Sequence, residues 1–391
     1  MNPFDFVPLD IQHPPVRCTP VWHNVLVPDK RLGTKLYTGY LYLYIKAETP
    51  IFIGTSIPHQ ASQDPREPQQ HIQNKWDEYI IPGTSIKGLL RTVVETVCNG
   101  CMTKFSPPRE HSRNTLPAGF EACNHNRSLC IACRLFGMMH SKKRESAVFM
   151  GKVNIGDALA YDDMPEFHDP IYTIVLDVPK PRHKAFYLDE QERYIAGRKF
   201  YFHNQELLTE NRLIPVLSKS GKSQETRYRN RYIEPLDTGT DFGARIDFAN
   251  LTADEFAALL YAIQLQPDMR HKLGYGKPMG LGSVQLSITE LQLVDFSSRY
   301  RTIRGNRGIT SYKDDDLYDL LDQQLAPIDE QIHRHWNYFR SLPAIKRLYD
   351  IWKWPPEKNV FYGYPDPDWF KQNPRARISA TKYLYPRESA Y

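Results

Sequence analysis

The cysteines of this chain are spaced like the ligands of a metal site. Five of the six cysteines fall between Cys98 and Cys133. Two Cys-x-x-Cys pairs, Cys98/Cys101 and Cys130/Cys133, can each present two thiolates to one tetrahedral Zn²⁺. In a chain of this length, such clustering favours a metal site over a disulfide framework. Free buried cysteines are the alternative interpretation.

The segment between the two cysteine pairs has little with which to hold itself together. It spans residues 103–129, is rich in Pro, Asn, Arg and Ser, and has few apolar residues, so a structural zinc would stabilise it. His111 and His125 lie within it as further candidate ligands. The ligand set that we predict is Cys101, Cys123, Cys130 and Cys133.

A second stretch, residues 81–91, has the composition of a phosphate-binding turn. Pro82-Gly83 ends a short apolar strand, and Thr84 or Ser85 can cap the helix that follows. The N–H groups of the first helical turn would then be free to meet an anion. An ordinary junction between a strand and a helix is the alternative interpretation.

The same helix carries two basic residues and an internal glycine. Lys87 and Arg91 are four residues apart and therefore share one helical face. Gly88 lowers the intrinsic stability of the helix by roughly 1 kcal/mol relative to alanine. In return, a glycine at this position would permit the close approach of another backbone, such as that of a nucleic acid.

Three further segments combine basic residues with features that suit RNA. Residues 272–282 contain four glycines and two lysines, although they lack the spacing of a nucleotide-binding Walker A loop. Residues 179–184 are basic and extended by prolines. Residues 219–231 interleave arginine with tyrosine, which favours binding of single-stranded RNA over a solvated run of charge.

Composition limits where an RNA-binding surface can lie. The chain has 50 Lys+Arg against 45 Asp+Glu, so its net charge of +5 excludes a uniform basic coat and requires a local surface. No apolar run approaches the roughly 18 residues that span a bilayer. The first residues have neither the basic nor the apolar region of a secretory signal. We therefore expect a cytoplasmic protein that does not enter a membrane.

The elements that must position these motifs alternate between strands and helices. Alternating or apolar runs predict strands over 37–47, 147–158, 170–178 and 282–288. A capping box formed by Thr252 and Glu255 predicts the start of a helix. This order predicts an α+β fold with a ferredoxin-like core.

The pattern changes after residue 295. We predict one domain over 1–295, containing a zinc-knuckle insertion at about 98–133 and a basic hairpin region at about 179–232. The C-terminal extension, 296–391, is predicted to be helical over 317–349 and then becomes rich in Pro and aromatic residues.

Four motifs occur in a fixed order along the chain. They are Ile81-Pro82-Gly83-Thr84-Ser85-Ile86-Lys87-Gly88, Cys130-Ile131-Ala132-Cys133-Arg134-Leu135-Phe136-Gly137, Gly197-Arg198-Lys199-Phe200-Tyr201, and the loop from Gly274 to Gly282. Together they resemble the RAMP superfamily of CRISPR effector backbone subunits, most of all its type III branch and the type III-D subtype. The resemblance covers roughly 37–293, and the single set of motifs implies one backbone unit.

The resemblance implies a modified RRM-like core that packs against other effector subunits along a guide CRISPR RNA. Target RNA would be recognised by base pairing with the guide, while the protein contacts the phosphates and recognises the shape of the duplex. A hairpin from the 179–231 region would interrupt the guide–target duplex. The RNA-binding residues that we predict are Gly83, Thr84, Ser85, Lys87, Arg91, Arg134, Lys180, Arg182, Arg227, Arg229, Lys272 and Lys277.

Catalytic members of the family cleave target RNA with an aspartate in the loop before the Pro-Gly turn. Asp64 lies nearest that place, Asp77 is the alternative, and His59 or His71 are candidate proton-transfer groups. Mg²⁺ would then stabilise the phosphate charge. Because the sequence around Asp64 departs from the family pattern, a backbone subunit that does not cleave is left open.

Two other functions remain open on the sequence alone. One is a stand-alone endoribonuclease that processes guide precursors, for which His183 or His203 would be the catalytic candidates. The other is a zinc-stabilised RNA-binding module outside CRISPR systems.

Overall fold

A curled antiparallel sheet with helices packed against it forms the centre of the molecule. The architecture comes from a computed structural model, which describes residues 1–23, 35–54, 64–103, 115–142, 145–176, 184–217, 223–299, 308–325, 343–358, 360–365 and 367–381. The strands are β1 (Phe4–Val7), β2 (Tyr37–Ala47), β3 (Gln69–Gln70), β4 (Ile80–Ile81), β5 (Gly137–Lys142), β6 (Glu145–Met150), β7 (Val153–Ile155), β8 (Ala158–Ala160), β9 (Ile171–Thr173), β10 (Arg198–Tyr201), β11 (Thr209–Glu210), β12 (Pro215–Leu217), β13 (Ser223–Tyr228), β14 (Tyr232–Glu234), β15 (Asp241–Leu251), β16 (His271–Lys272), β17 (Ser283–Val294) and β18 (Ile309–Tyr312). The helices are α1 (Gly83–Val97), α2 (Ile131–Phe136), α3 (Lys184–Tyr187), α4 (Ala253–Gln264), α5 (Phe296–Arg299), α6 (Asp314–Leu325), α7 (Pro343–Trp352) and α8 (Pro367–Gln372).

Three long strands, β2, β15 and β17, make up most of the central sheet. β2 lies between β17 and β15 and is antiparallel to both, and β7 and β8 both pair with β15 on its other side. Helix α1 lies between β2 and β7 in the chain, α4 follows β15, and the two helices contact each other. This mixed α/β order is compatible with the predicted ferredoxin-like core.

The alternation of β2 explains why the sheet has one buried face. Leu41, Leu43 and Ile45 point into the core, whereas Tyr42 between them is 39% exposed. Successive side chains of a strand point to opposite faces, so the apolar residues of this strand all reach one side. Helix α1 covers that side with residues such as Val93, which is fully buried.

One predicted strand is divided in the structure. We predicted a strand over 147–158, but β6 and β7 are separated at Gly151. A Cβ atom on Gly151 would lie 2.6 Å from the carbonyl carbon of Phe136, because α2 ends against this point of the chain. The close approach of two backbones, which no local pattern encodes, therefore separates the two strands.

The capping box predicted for α4 is confirmed. Thr252 is the N-cap, and its backbone N–H donates to the carboxylate of Glu255 at 3.0 Å. The buried Lys152 ammonium donates to the same carboxylate at 2.8 Å. Glu255 therefore ties the helix start to the segment between β6 and β7 as well as capping it.

The basic hairpin region contains a pair of antiparallel strands. β12 pairs with β13, and residues 218–222 between them lie outside the described part of the chain. β9 and β14 form a small sheet next to this pair in sequence, with β3 and β11 at its two edges.

The segment after residue 295 packs closely onto the core. β18 adds a strand to β17, α6 packs against α4 and β17, and α7 packs against β1, β10 and α1. The predicted helix over 317–349 corresponds to parts of α6 and α7, and 326–342 lie outside the described residues.

Within the described ranges, we find no helix that is both long enough and apolar enough to cross a lipid bilayer.

Candidate functional site

Four buried cysteines meet in the interior of the protein. The Sγ atoms of Cys101, Cys123, Cys130 and Cys133 all lie within 4.8 Å of one another. The Sγ atom of Cys101 is 3.6 Å from those of both Cys130 and Cys133. Four sulfurs bound at about 2.3 Å to one tetrahedral zinc lie about 3.8 Å apart, so this cluster can hold a metal ion and is compatible with zinc.

Three pieces of the chain bring these thiols together. Cys101 follows the end of α1, while Cys130 is the N-cap of α2 and Cys133 lies in its first turn. The backbone N–H of Cys130 donates to the sulfur of Cys123 at 3.4 Å. Because an N–H group stabilises a thiolate more than a thiol, this contact suits a metal-bound sulfur.

The remaining candidate ligands lie elsewhere or outside the described residues. Cys98 and His125 do not belong to the cluster, and His111 falls in the part of the chain that is not described. Burial raises the pKa of the Cys98 thiol well above its ordinary value, which keeps the group neutral. Cys98 and Cys101 therefore do not act as a two-ligand knuckle in the way that their spacing suggested.

Two arginines lie beside the sulfurs. Arg91 donates from Nη2 to the sulfur of Cys133 at 3.3 Å, and the charge of Arg17 interacts electrostatically with the sulfur of Cys123. Neither arginine was expected beside the metal site. Nothing in the spacing of the chain relates Arg17 to cysteines about a hundred residues away.

A third arginine and a glutamate complete the surroundings of the cluster. Arg198 donates to the carbonyl of Cys101 at 3.0 Å, and Glu95 accepts from Arg198 at 3.0 Å and from Arg91 at 2.8 Å. The three arginines less the one glutamate carry two positive charges, and a divalent metal with four thiolates carries two negative charges. The donor set and the charge around it both fit a divalent ion that stabilises the fold.

A separate cleft of about 600 Å³ unites three of the motifs that the sequence singled out. Ser85 and Gly88 line it from α1, Lys199 lines it from β10, and Gly274 and Lys277 line it from the glycine-rich loop. These segments are far apart in the chain, so the tertiary fold creates the cleft.

Two predicted RNA-binding lysines line the cleft and are held by backbone carbonyls. The Nζ atom of Lys272 donates to the carbonyls of Gly280 and Leu281, each at 3.1 Å, and Lys277 Nζ donates to that of Gly274 at 2.5 Å. Burial lowers the pKa of Lys272 to about 7 and also lowers the pKa of Lys277. An anion in the cleft would favour the charged form of both groups.

Two further cations of the cleft were absent from the predicted contacts. Lys199 lies in the Gly197–Tyr201 motif, and its ammonium sits 3.7 Å from the centre of the Phe4 ring. Burial lowers its pKa to about 8. Arg231 is exposed, and its guanidinium lies 5.2 Å from the centre of the Tyr275 ring. A tyrosine beside a guanidinium provides both charge and a flat surface for a nucleotide.

The start of α1 differs from the predicted anion cradle. The helix begins at Gly83, its N-cap is Pro82, and neither Thr84 nor Ser85 acts as a cap. The N–H of Gly83 donates to Asp157 Oδ1 at 2.7 Å, and that of Ser85 donates to the carbonyl of Pro82 at 2.8 Å. Because these two N–H groups are hydrogen bonded within the protein, they are not available to bind an anion. The start of the helix contributes Ser85 to the cleft wall instead.

Gly88 lies where α1 faces the cleft. A Cβ atom on Gly88 would meet nothing within 4 Å, so the surface above this residue is open. The expectation that a ligand backbone can approach here agrees with this open surface.

The basic residues that we grouped with this helix take different places. Arg91 points to the metal site, and Lys87 is half-buried and is not part of the cleft wall. Arg134 is buried and forms ion pairs with Asp254 at 3.1 Å and Glu255 at 3.2 Å. The charges of Arg91 and Arg134 are therefore satisfied within the fold.

The other predicted contacts are only partly described. Lys180 and Arg182 lie outside the described residues, as does the side chain of Arg227. Arg229 is exposed directly after β13, and its N–H donates to the carbonyl of Ile214 at 2.8 Å.

The candidate catalytic carboxylate lies in an exposed turn. Asp64 accepts the backbone N–H of Arg66 at 2.9 Å, and Asp77 is exposed in a turn with a φ of 63°. Among the described residues, the four cysteines are the only cluster that could hold a metal ion, so Mg²⁺ gains no support. His59 lies outside the described residues.

The buried histidines fit structural roles. His71 lies between the carbonyls of Ile51 and Ile80, with Nε2 2.8 Å from the latter, and burial lowers its pKa to about 4. Burial also lowers the pKa of His203 well below its ordinary value, and its Nδ1 is 2.9 Å from Ser283 Oγ. His183 is not described. A histidine-centred nuclease site therefore finds no support at His71 or His203.

Comparison with known proteins agrees with these observations. The model of the RAMP superfamily matches residues 44–285, which is more than half of the chain. The match includes β15, the four clustered cysteines and every residue that lines the cleft except Trp352. No curated protein matches the chain significantly. The family match indicates a CRISPR-associated RNA-binding protein. The ordered motifs, the curled antiparallel sheet and the family match lead to one conclusion: the chain belongs to the RAMP superfamily.

Proposed function

We propose that this chain is a guide-RNA-binding backbone subunit of a type III CRISPR effector complex, and that the cleft holds the phosphodiester backbone of the guide. The observation that carries the proposal is the convergence of three ordered family motifs on one cleft. Other effector subunits and a target RNA paired with the guide would be its partners.

The chemistry of the cleft suits a phosphodiester chain. Lys199, Lys272, Lys277 and Arg231 supply cationic groups from three separate segments. Contacts to phosphates need positive charge and do not depend on the base sequence. The glycines between the lysines let a nucleic-acid backbone approach closely. The depressed pKa of Lys272 would rise when a phosphate enters, so RNA binding would be accompanied by proton uptake near neutral pH.

The test replaces two cations of the cleft, with an arginine elsewhere as the control. Arg231→Ala combined with Lys277→Ala should weaken the binding of single-stranded RNA by a similar factor for all sequences. The slope of log affinity against log salt should fall by roughly 0.7 for each lost phosphate contact. The matched control is Arg245→Ala, which removes an exposed arginine of β15 that pairs with Asp247 at 2.5 Å.

Fluorescence anisotropy with several unrelated oligonucleotides measures these affinities, and circular dichroism checks that each variant is folded. An unchanged salt slope in the double variant, or a loss confined to particular sequences, would contradict the proposed backbone contacts. RNA of defined length with a common 5′ end in the purified complex would support a guide over other RNA.

Cleavage of target RNA is the part of the proposal that depends on a single carboxylate. Asp64 would orient or deprotonate a ribose 2′-hydroxyl, and the divalent cation would arrive with the RNA phosphates. Asp64→Ala in the assembled complex should then abolish one cleavage position and leave guide and target binding intact. If every product persists, Asp64 is not catalytic, and Asp77→Ala decides between the alternative carboxylate and a subunit that does not cleave.

A further inference from the structure

Arg91 connects the two functional regions of the protein. Its Nη2 atom donates to the sulfur of Cys133 at 3.3 Å, its Nη1 atom donates to the carbonyl of Gly137 at 2.8 Å, and its Nε atom donates to Glu95 at 2.8 Å. Three bonds in different directions fix the planar guanidinium, so its position depends on all three partners.

Arg91 lies on α1 between residues that line the cleft. Gly88 and Thr92, three residues before it and one after it on α1, both line the cleft. The bonds of the guanidinium therefore connect the cysteine site to the helical turn that the RNA is proposed to meet.

A second connection reaches the opposite wall through Glu95. Its other carboxylate oxygen accepts from Arg198 at 3.0 Å, and Arg198 in turn donates to the carbonyls of Gly100 at 2.6 Å and Cys101 at 3.0 Å. Lys199, the next residue of β10, lines the cleft. The cysteine segment is thus joined to both cleft walls by buried, charged hydrogen bonds.

Metal binding would constrain the partner of Arg91. A metal ion coordinated by the four cysteines would fix the position of the Cys133 sulfur, to which Arg91 donates at 3.3 Å. Through this bond the metal would hold Arg91 and, with it, the turn of α1 where the surface above Gly88 is open.

We propose that Arg91 is a positioning residue through which a divalent metal in the four-cysteine site and single-stranded RNA in the cleft bind cooperatively. The proposal rests on the proposed function, since it assumes that the cleft takes RNA. By linkage, the factor by which metal increases RNA affinity equals the factor by which RNA increases metal affinity.

The experiment measures Zn²⁺ affinity of the full chain by equilibrium competition with a chelator, with and without a saturating short oligouridylate. In the wild type we expect the RNA to raise the Zn²⁺ affinity by at least about fivefold, the lower end of typical coupling factors. In Arg91→Gln, which removes the charge and keeps much of the side-chain length, this factor should fall to about one. Arg91→Lys should restore little of this factor. Its single ammonium nitrogen cannot reach the three separate partners that the three nitrogens of the guanidinium contact.

Arg17→Gln is the matched control. Arg17 also lies beside a sulfur of the cluster, that of Cys123, but its hydrogen bonds are to the carbonyls of Gly119 and Glu121, away from α1 and β10. This variant should bind Zn²⁺ more weakly, with and without RNA, and should keep the full coupling factor. The ratio of the Zn²⁺ affinities with and without RNA therefore distinguishes a loss of coupling from a general weakening of the metal site.

Each outcome has one meaning. If RNA binds and leaves the Zn²⁺ affinity of the wild type unchanged, or if Arg91→Gln keeps the coupling factor, the proposed coupling is wrong while RNA binding stands. If the metal-loaded wild type does not bind the oligouridylate in direct anisotropy measurements, the proposed function itself fails.

Discussion

At the scale of single residues, the cleft wall contains groups that favour binding at the expense of stability. Gly88 weakens a helix that otherwise buries a continuous apolar face, and Lys272 places an ammonium where it is 3% exposed. Neither choice improves the fold, because glycine is a poor helix former and a buried cation is poorly solvated. Both are understandable if a phosphodiester chain lies against them.

Gly88→Ala should raise the free energy of unfolding by about 1 kcal/mol, since alanine favours the helix and its Cβ meets no other atom. Gly88→Leu should also raise the free energy of unfolding, since leucine favours the helix almost as much as alanine, but it should weaken RNA binding because its side chain would occupy the cleft. Urea unfolding and anisotropy measure the two effects separately. Full RNA affinity in the leucine variant would mean that no ligand approaches Gly88.

Lys272 makes stability depend on pH in a defined direction. Its pKa is about 7 in the folded protein against 10.5 for an ordinary lysine, so the unfolded chain binds the extra proton between these values. The free energy of unfolding should therefore rise with pH across that window, by up to about 1.4 kcal/mol per pH unit from this group. Lys272→Met should reduce the slope measured by urea unfolding from pH 7 upward. Equal slopes in variant and wild type would contradict the buried, partly neutral lysine.

At the scale of elements, α1 serves the sheet, the cleft and the metal site at once. Its apolar face shares the core with β2 and β15, its middle turn opens onto the cleft, and its end leads to Cys101. Local signals predicted the helix and its apolar face correctly. They predicted the wrong cap, because the partner of Gly83 is Asp157, 74 residues further along the chain.

The metal site should bind about one zinc per chain by elemental analysis, and Cys130→Ser with Cys133→Ser should abolish it and lower the thermal midpoint. Cys98→Ser is the matched control, since Cys98 belongs to the neighbouring Cys-x-x-Cys pair but lies outside the cluster. This control should keep its zinc. A metal-free wild type as stable as the metal-loaded protein would rule out a structural metal.

At the scale of the whole molecule, the sequence predicted features that depend on nearby residues and missed contacts between residues far apart in the chain. The Cys130/Cys133 pair, the capping box of α4 and the alternation of β2 depend on residues close together in the chain and were predictable. The partner of Arg91 lies 42 residues away at Cys133, and Lys199 meets Phe4 from the start of the chain. The sequence does not show whether a basic residue faces solvent or an internal carboxylate. Only the tertiary fold shows that Arg231 is exposed, whereas Arg134 is buried and paired with Glu255.

The packing of α7 bears on the order in which the protein matures on the ribosome. Trp352, the last residue of α7, lines the cleft, and its ring meets Phe200 with ring centres 5.0 Å apart. The strand that carries Phe200 also pairs with β1, so elements from near the start of the chain and from beyond residue 342 both support one cleft wall. The sheet and the four cysteines can assemble while the ribosome is still translating residues beyond 295, but this wall cannot. A nascent chain would thus bring its four clustered cysteines together before its cleft, because the cleft wall is finished only after residue 352 has been translated.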